Sequence, residues 1–240
     1  MALQHREIEH QSDGVGFTGR LTCDDAQTGP RPGVLVCHTI RGRTAFEEGK
    51  AEALADLGYA ALAVDLYGTH TRDSDIETFR ELMIGHKADR PRLQRLLLEW
   101  LELLAEQDEV DAERLGAIGF CFGGLCALDI ARTGAKLKGV VSFHGLFEAP
   151  GNTSGNDVRA KVLVLHGWDD PLAPPDMVLG LGKELTGMGA DWQIHAYGNT
   201  LHAFTNPAAN DSSAGTVYDD NANRRSWQAM QNFFDEVFVR

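Results

Sequence analysis

The feature that most constrains this chain is a glycine-rich turn around one cysteine, residues 119–124, which read Gly-Phe-Cys-Phe-Gly-Gly. An apolar run at 115–118 precedes the turn, and a run with helical character at 125–131 follows it. A strand that turns sharply into a helix is the setting in which G-x-nucleophile-x-G has a meaning, because the glycines leave room for a strained turn. Cys121 occupies the nucleophile position, where the positive end of the helix dipole favours its thiolate. The pattern predicts a reactive cysteine on an α/β fold.

The same motif has a second interpretation. Short glycine motifs also occur in the strand-to-helix turns of nucleotide-binding folds, where Cys121 would be a buried structural residue. Only residues further along the chain can decide between the two interpretations, because a catalytic cysteine needs partners and a structural one does not.

Apolar runs recur along the chain with helical segments between them. Short runs at 33–38, 59–65, 139–144 and 161–166 have the character of strands buried on both faces, and a last strand spans 191–197. Alternating strands and helices predict a mostly parallel central sheet with helices on both faces, in a single domain over residues 1–240. Residues 16–22 alternate like an antiparallel edge strand or half of a hairpin, and the polar stretch 205–221 predicts a surface loop.

Composition limits the class of partner. The net charge is −13 and no basic stripe is present, so neither a nucleic acid nor an anionic membrane surface is an expected partner. The N-terminus lacks the apolar segment of a signal peptide, and no window is apolar enough to span a bilayer. The four cysteines show no disulfide pattern. We therefore expect a cytoplasmic protein with a small-molecule substrate, as a monomer or a homodimer.

Two residues downstream complete a catalytic arrangement. A cysteine nucleophile needs a base, and the base needs an acceptor that fixes its tautomer. Asp170 follows the strand at 161–166 and His202 follows the last strand, so nucleophile, acid and histidine each follow a strand. Asp169 competes for the acid role, but the proline at 171 favours a rigidly held Asp170. No H-E-x-x-H or C-x-x-C spacing indicates a metal site.

An oxyanion hole is expected from two backbone N–H groups. One belongs to Phe122, directly after the nucleophile, and the other to the loop after the first buried strand, where Ile40 is the best candidate. His38, His144 and His166 stand at strand ends and receive no role.

Taken together, these residues resemble the dienelactone hydrolase family of α/β-hydrolases. Residues 119–124 resemble its G-Y-C-x-G-G elbow, residues 64–68 its strand ending P-D-L-Y, and residues 166–174 its G-x-x-D-x-x-V-P acid loop, while His202 opens a match to H-x-F. The likeness runs from about residue 16 to the C-terminus. The resemblance implies an α/β-hydrolase fold and a Cys-His-Asp hydrolase that forms a covalent intermediate without a cofactor.

The chain departs from the family at two places. Where dienelactone-cleaving members carry Q-E-I-F-G with an activating glutamate, residues 38–42 place Thr39, so activation falls more directly on His202. Where those members carry a carboxylate-binding arginine, this chain has Asn206. Arg80 matches a second such arginine and Arg41 is a substitute for the first. The departures favour a neutral ester over dienelactone itself.

We therefore predict a cysteine hydrolase of activated esters or lactones. Aromatic side chains near the expected cleft favour aryl esters, and the same thiolate and oxyanion hole suit a phosphotriester. The competing hypotheses are a redox protein that pairs Cys121 with Cys126, and a binding module without catalysis. The residues predicted to contact substrate are Arg41, Tyr67, Arg80, Trp168 and Phe204.

Overall fold

The computed structural model describes residues 2–153 and 155–238. Within them the contacts define two compact units, one ending at Ala117 and the other beginning at Ile118. The strands are β1 (Leu3–Ser12), β2 (Val15–Asp24), β3 (Arg31–Cys37), β4 (Ala60–Ala63), β5 (Val110–Phe120), β6 (Gly139–Phe143), β7 (Lys161–Gly167), β8 (Trp192–Tyr197), β9 (Asn210–Asp211) and β10 (Thr216–Val217). The helices are α1 (Ala45–Asp56), α2 (Ile76–Ala88), α3 (Arg90–Ala105), α4 (Phe122–Arg132), α5 (Pro175–Gly187) and α6 (Asp220–Val237), with a 3₁₀ turn at Thr69–Thr71.

Eight strands form one mostly parallel sheet in the order β1-β2-β4-β3-β5-β6-β7-β8. β3 pairs with β4 in parallel, as do β6 with β7 and β7 with β8, while β1, β2 and β4 pair antiparallel. The predicted α/β architecture with a mostly parallel central sheet is confirmed. The single-domain organisation of residues 1–240 stays a prediction, and residues 1, 154, 239 and 240 lie outside the described part.

The first unit begins with a hairpin of β1 and β2, of which the sequence predicted only the second strand. β2 extends the predicted strand at 16–22 and pairs over its whole length with β1, which takes the sheet edge. Asp13 and Gly14 connect the two strands with φ angles of 50° and 77°, as a two-residue hairpin turn requires. β1 was not predicted, because it is rich in charged and polar residues and lacks an apolar run. Such residues on an exposed edge strand discourage pairing with other chains.

A buried carboxylate shapes the loop after β3. Glu47, in the first turn of α1, accepts hydrogen bonds from the N–H and hydroxyl of Thr44, and Thr44 caps the helix in return. The other oxygen of Glu47 accepts the N–H of Thr39 at 3.0 Å. α1 ends just before Gly58, whose φ of 93° lets the chain reverse into β4.

The second unit is built around α4, all of whose residues are buried. α4 can lie this deep because glycines allow close approach: a Cβ on Gly124 would stand 2.6 Å from the Cα of Gly145, in the segment after β6. The prediction of a plain surface loop at 205–221 is wrong in one respect. Residues 210–217 form the small antiparallel hairpin β9–β10, although most of its side chains are exposed.

Two glycine substitutions test whether close backbone approach governs the packing of α4. A Cβ on Gly119 would lie 1.9 Å from the carbonyl oxygen of Gly123, so we expect Gly119→Ala to lower the free energy of unfolding by about 3 kcal/mol or more. Gly49 lies exposed inside α1 with nothing within 4 Å of where its Cβ would stand, so Gly49→Ala should raise that free energy by about 1 kcal/mol. Urea denaturation measures both. Equal effects of the two substitutions would contradict the proposed role of Gly119.

Candidate active site

The proposed nucleophile lies at a strained bend between β5 and α4. Cys121 has φ 57° and ψ −114°, a conformation that residues with a side chain rarely adopt. Its N–H donates to the carbonyl of Phe143 at 3.1 Å, and its own carbonyl accepts the N–H groups of Gly124 and Leu125. The side chain is partly exposed, whereas the other three cysteines are buried. The fold therefore keeps one cysteine accessible at the N-terminus of a helix.

The predicted acid and histidine lie in contact. Nδ1 of His202 and Oδ2 of Asp170 are 2.7 Å apart, and both residues are only 2% exposed. The second carboxylate oxygen of Asp170 accepts the N–H of Leu172 at 2.8 Å, so both oxygens are engaged. Asp169 is exposed. Since the hydrogen bond to Nδ1 orients the ring, the Nε2 atom of His202 faces away from Asp170.

The electrostatics of His202 depend on Cys121. Burial lowers the pKa of His202, but the charge of Cys121, together with the hydrogen bond to Asp170, outweighs it and raises the pKa to about 10. With a pKa of about 10, His202 holds its proton at neutral pH. The charge of Cys121 is thus the largest influence that keeps the imidazole of His202 protonated, and the same ring contacts the buried carboxylate of Asp170.

The two expected oxyanion donors lie on different elements. Phe122 is the first residue of α4, where backbone N–H groups precede the intrahelical hydrogen-bond ladder. Ile40 lies in the first unit, half-buried in the turn that follows β3. Its neighbour Thr39 is the residue that Glu47 anchors, so the turn carrying Ile40 is held by a buried carboxylate. Sequence reasoning missed Glu47, although its place three residues after Thr44 is a capping-box signal.

The five predicted substrate contacts fall in different surroundings. Trp168 is 46% exposed, directly after β7. Phe204 is fully buried and packs edge-on against His144 and Tyr197, so it belongs to the core of the second unit. Neither position establishes a contact with substrate, and both assignments stay predictions.

The other three predicted contacts belong to the first unit. Tyr67 is buried and stacks on Phe79 and His86, with ring centroids 5.9 and 5.8 Å apart. Arg41 is exposed and lines a small cavity with Asp65 and other residues. Arg80 is exposed and paired with Glu77, three residues before it on α2. The ion pair partly neutralises Arg80, which weakens its case as a carboxylate ligand.

One histidine without an assigned role contacts the site directly. The ring of His144 lies edge-on to that of His202 with centroids 5.0 Å apart, and its Nε2 lies 2.8 Å from the hydroxyl of Thr205. His144 has φ 36°, an uncommon value for a residue with a side chain. Its position after β6 was the available signal, because strand ends in an α/β sheet converge on one edge.

The two remaining strand-end histidines are buried. His38 accepts the N–H of Leu66 at Nε2 and so donates from Nδ1 to the carbonyl of Thr39. Burial lowers its pKa, which suits this neutral, structural ring. His166 packs near Phe147, and burial lowers its pKa as well.

Within residues 2–153 and 155–238, no three His, Cys, Asp or Glu side chains cluster as a metal site would require. None of the helices described there has the length and apolar character of a membrane span.

Comparisons with known proteins identify the family of the chain. The model of the dienelactone hydrolase family matches residues 17–238. A solved structure named m3DLH is 43% identical, has a TM-score of 0.93 and covers both chains fully. A dienelactone hydrolase-like promiscuous phosphotriesterase, P91, from metagenomic libraries is 38% identical with a TM-score of 0.92, again over both full chains. The Caenorhabditis elegans protein K02A2.1 is 35% identical over 158 residues, which cover 62% of this chain and 94% of that one.

The mostly parallel sheet, together with a structural match that covers the whole chain, defines a hydrolase of the α/β-hydrolase fold. Within that class, the chain belongs to the dienelactone hydrolase family.

The link between Cys121 and the protonation of His202 can be measured. We expect Cys121→Ser to lower the pKa of His202 from about 10, because the largest influence raising it is the cysteine's charge. An NMR titration of the imidazole protons follows the change. Cys126→Ala is the matched control, since Cys126 is buried in α4 and the influences that raise the pKa of His202 come from Cys121 and Asp170. An unchanged pKa in Cys121→Ser would contradict the assignment of the ion pair.

Proposed function

We propose that this protein is a cofactor-independent cysteine hydrolase of activated esters and lactones, with Cys121, His202 and Asp170 as its catalytic triad. The single observation that carries the proposal is the buried 2.7 Å contact between His202 and Asp170, on a histidine whose proton is held by the charge of Cys121. Family membership supports the reaction class. Nothing in the cycle requires a metal ion or a redox partner.

The first half-reaction forms a thioester. A lone pair of the Cys121 sulfur attacks the ester carbonyl carbon, and the carbonyl π electrons move to oxygen. The N–H group of Phe122 binds that oxyanion, and such a donor is typically worth about 3 kcal/mol. The oxyanion then collapses, the bond to the leaving oxygen breaks, and His202 gives its proton to the departing alkoxide or phenolate.

The second half-reaction follows from the same electrostatics. Acylation removes the negative charge on sulfur, which is the largest influence raising the pKa of His202. A neutral imidazole, still oriented by Asp170, can then take a proton from water. The hydroxide equivalent attacks the thioester carbon, the C–S bond breaks, and the carboxylic acid leaves. The thiolate and imidazolium are restored.

The same apparatus fits a phosphotriester. Attack of the thiolate on phosphorus would expel an aryloxide, and the developing charge on the phosphoryl oxygen would need the same kind of backbone donor. One observation favours this second activity: the 38% identical neighbour P91 is named a promiscuous phosphotriesterase. The proposal is therefore an aryl-ester hydrolase with a phosphotriesterase side activity.

The preferred acyl group is neutral. Arg80 is engaged by Glu77, and the position of the family's other carboxylate-binding arginine is Asn206. Burying a substrate carboxylate without a dedicated cation would be unfavourable. Trp168, exposed beside the acid loop, offers an apolar surface for an aryl leaving group. We place the protein in the cytoplasm, where a thiolate stays reduced.

Mass spectrometry of the intact chain tests the proposal. Brief exposure to aryl acetates, lactones and a paraoxon-like triester should add one acyl or phosphoryl group, located on Cys121 by peptide mapping. Cys121→Ala should lose the adduct and at least about 1,000-fold of kcat/KM. Cys126→Ala should retain both. Turnover that survives in Cys121→Ala, or that disappears with a chelator, would refute the mechanism.

The pH dependence gives a second test. Acylation needs the imidazolium of His202, so kcat/KM for an aryl ester should stay level through neutral pH and decline only as the pH passes about 10, where His202 loses its proton. An ordinary histidine would give the decline at about 6.5. The measurement is a pH profile of kcat/KM, with base-catalysed hydrolysis of the substrate subtracted. A decline near neutral pH would argue against a paired imidazolium.

A further inference from the structure

The main chain of His202 is held by the β9–β10 hairpin, residues 210–217. The N–H of His202 donates to the carbonyl of Gly215 at 2.9 Å, and the N–H of Val217 donates to the carbonyl of His202 at 3.0 Å. His202 also forms a parallel bridge to Thr216. Both backbone polar groups of His202 are therefore satisfied by one short hairpin.

The hairpin is internally braced at its turn. One carboxylate oxygen of Asp211 accepts the N–H of Ser213 at 3.0 Å, the hydroxyl of Ser213 at 2.6 Å and the N–H of Ala214 at 3.0 Å. Such Asx turns fix a loop without help from the core. The support behind His202 is thus a preorganised element and not a loose polar loop.

Gly215 also contacts the segment that carries the acid. A Cβ on Gly215 would lie 2.3 Å from Cγ and 2.7 Å from Cδ of Pro171, the residue after Asp170. Gly215 has φ 70°, which glycine adopts without penalty. Because proline is a rigid ring, a side chain at position 215 must displace either Pro171 or the hairpin.

Gly167 is a second glycine at which the segment bearing Asp170 contacts the segment bearing His202. A Cβ on Gly167 would lie 2.6 Å from the carbonyl oxygen of Thr200 and 2.7 Å from that of Leu201. The N–H of Asp169 donates to the same Thr200 carbonyl at 3.0 Å. The segments bearing Asp170 and His202 are therefore in close contact at Gly167 and, through the hairpin, at Gly215.

We infer that the 210–217 hairpin positions the base, and that Gly215 is a positioning residue for the Asp170–His202 pair. The carbonyl of Gly215 accepts a hydrogen bond from the N–H of His202, and Gly215 packs against Pro171, which follows Asp170. A side chain at position 215 shifts one member relative to the other, which loosens the 2.7 Å contact and turns the His202 ring. The catalytic consequence rests on the proposed function, whereas the geometric one does not.

The test compares Gly215→Ala with Gly189→Ala. Gly189 has φ 68°, almost the same as Gly215, but nothing lies within 4 Å of where its Cβ would stand. The two variants therefore carry similar backbone strain, and only one carries the clash with Pro171. We expect Gly215→Ala to lower kcat for an aryl acetate by about 10- to 100-fold, with little change in KM, because small misplacement of a catalytic group is costly in rate. Gly189→Ala should stay within about twofold of the wild-type kcat, since it touches no part of the site.

Two further measurements separate positioning from general damage. Pro171→Ala removes the Cγ and Cδ atoms that a side chain at 215 would meet, so Gly215→Ala in that background should regain most of the lost kcat relative to Pro171→Ala alone. The NMR resonances of the His202 imidazole should shift in Gly215→Ala, remain in place in Gly189→Ala, and return in the double variant. If Gly215→Ala does not fold, the double variant carries the test, by folding with a wild-type-like His202 spectrum.

The outcomes are distinct. Equal kcat and equal spectra in Gly215→Ala and Gly189→Ala would overturn the inference, as would a double variant that recovers nothing. If the wild-type chain fails to hydrolyse any ester, the proposed function fails, and the His202 spectra still decide whether Gly215 positions the pair.

Discussion

The structure depends on a close backbone approach at the bend between β5 and α4. The chain can reverse there because Gly119 presents no side chain to the carbonyl of Gly123, and because Gly124 lies against Gly145. This approach forces Cys121 into a strained conformation at the start of a buried helix. The strain is offset by the core packed around α4, and it leaves the sulfur accessible where the helix dipole favours a negative charge.

The histidine and the acid are held by a different device. Neither lies inside a strand or a helix, so their precision comes from glycine contacts and backbone hydrogen bonds between loops. Asp170 uses both carboxylate oxygens, and His202 is held through Nδ1, N–H and carbonyl. A loop-borne site can therefore be as well ordered as one on regular elements, provided that its polar groups are satisfied.

The charge on the sulfur of Cys121 connects the bend before α4 with the pair formed by His202 and Asp170. The charge of Cys121 raises the pKa of His202 to about 10 against the effect of burial, and in the proposed cycle acylation removes that charge. In that cycle the same histidine can then change from acid to base. The chemical state of Cys121 thereby sets the protonation of the site at each step of the proposed cycle.

The sequence by itself determined the buried strands, most helices, the elbow around Cys121 and the chain order of three candidate residues, because apolar runs, glycine spacing and order are local, one-dimensional signals. It left the charged edge strand β1 unseen, and it mistook the β9–β10 hairpin for a plain loop, since neither has an apolar pattern. Only the tertiary structure decided that Asp170 rather than its neighbour Asp169 contacts His202, that His144 packs against the same ring, and that Gly215 touches both segments. Those contacts join residues that are far apart in the sequence, and local spacing carries no information about them.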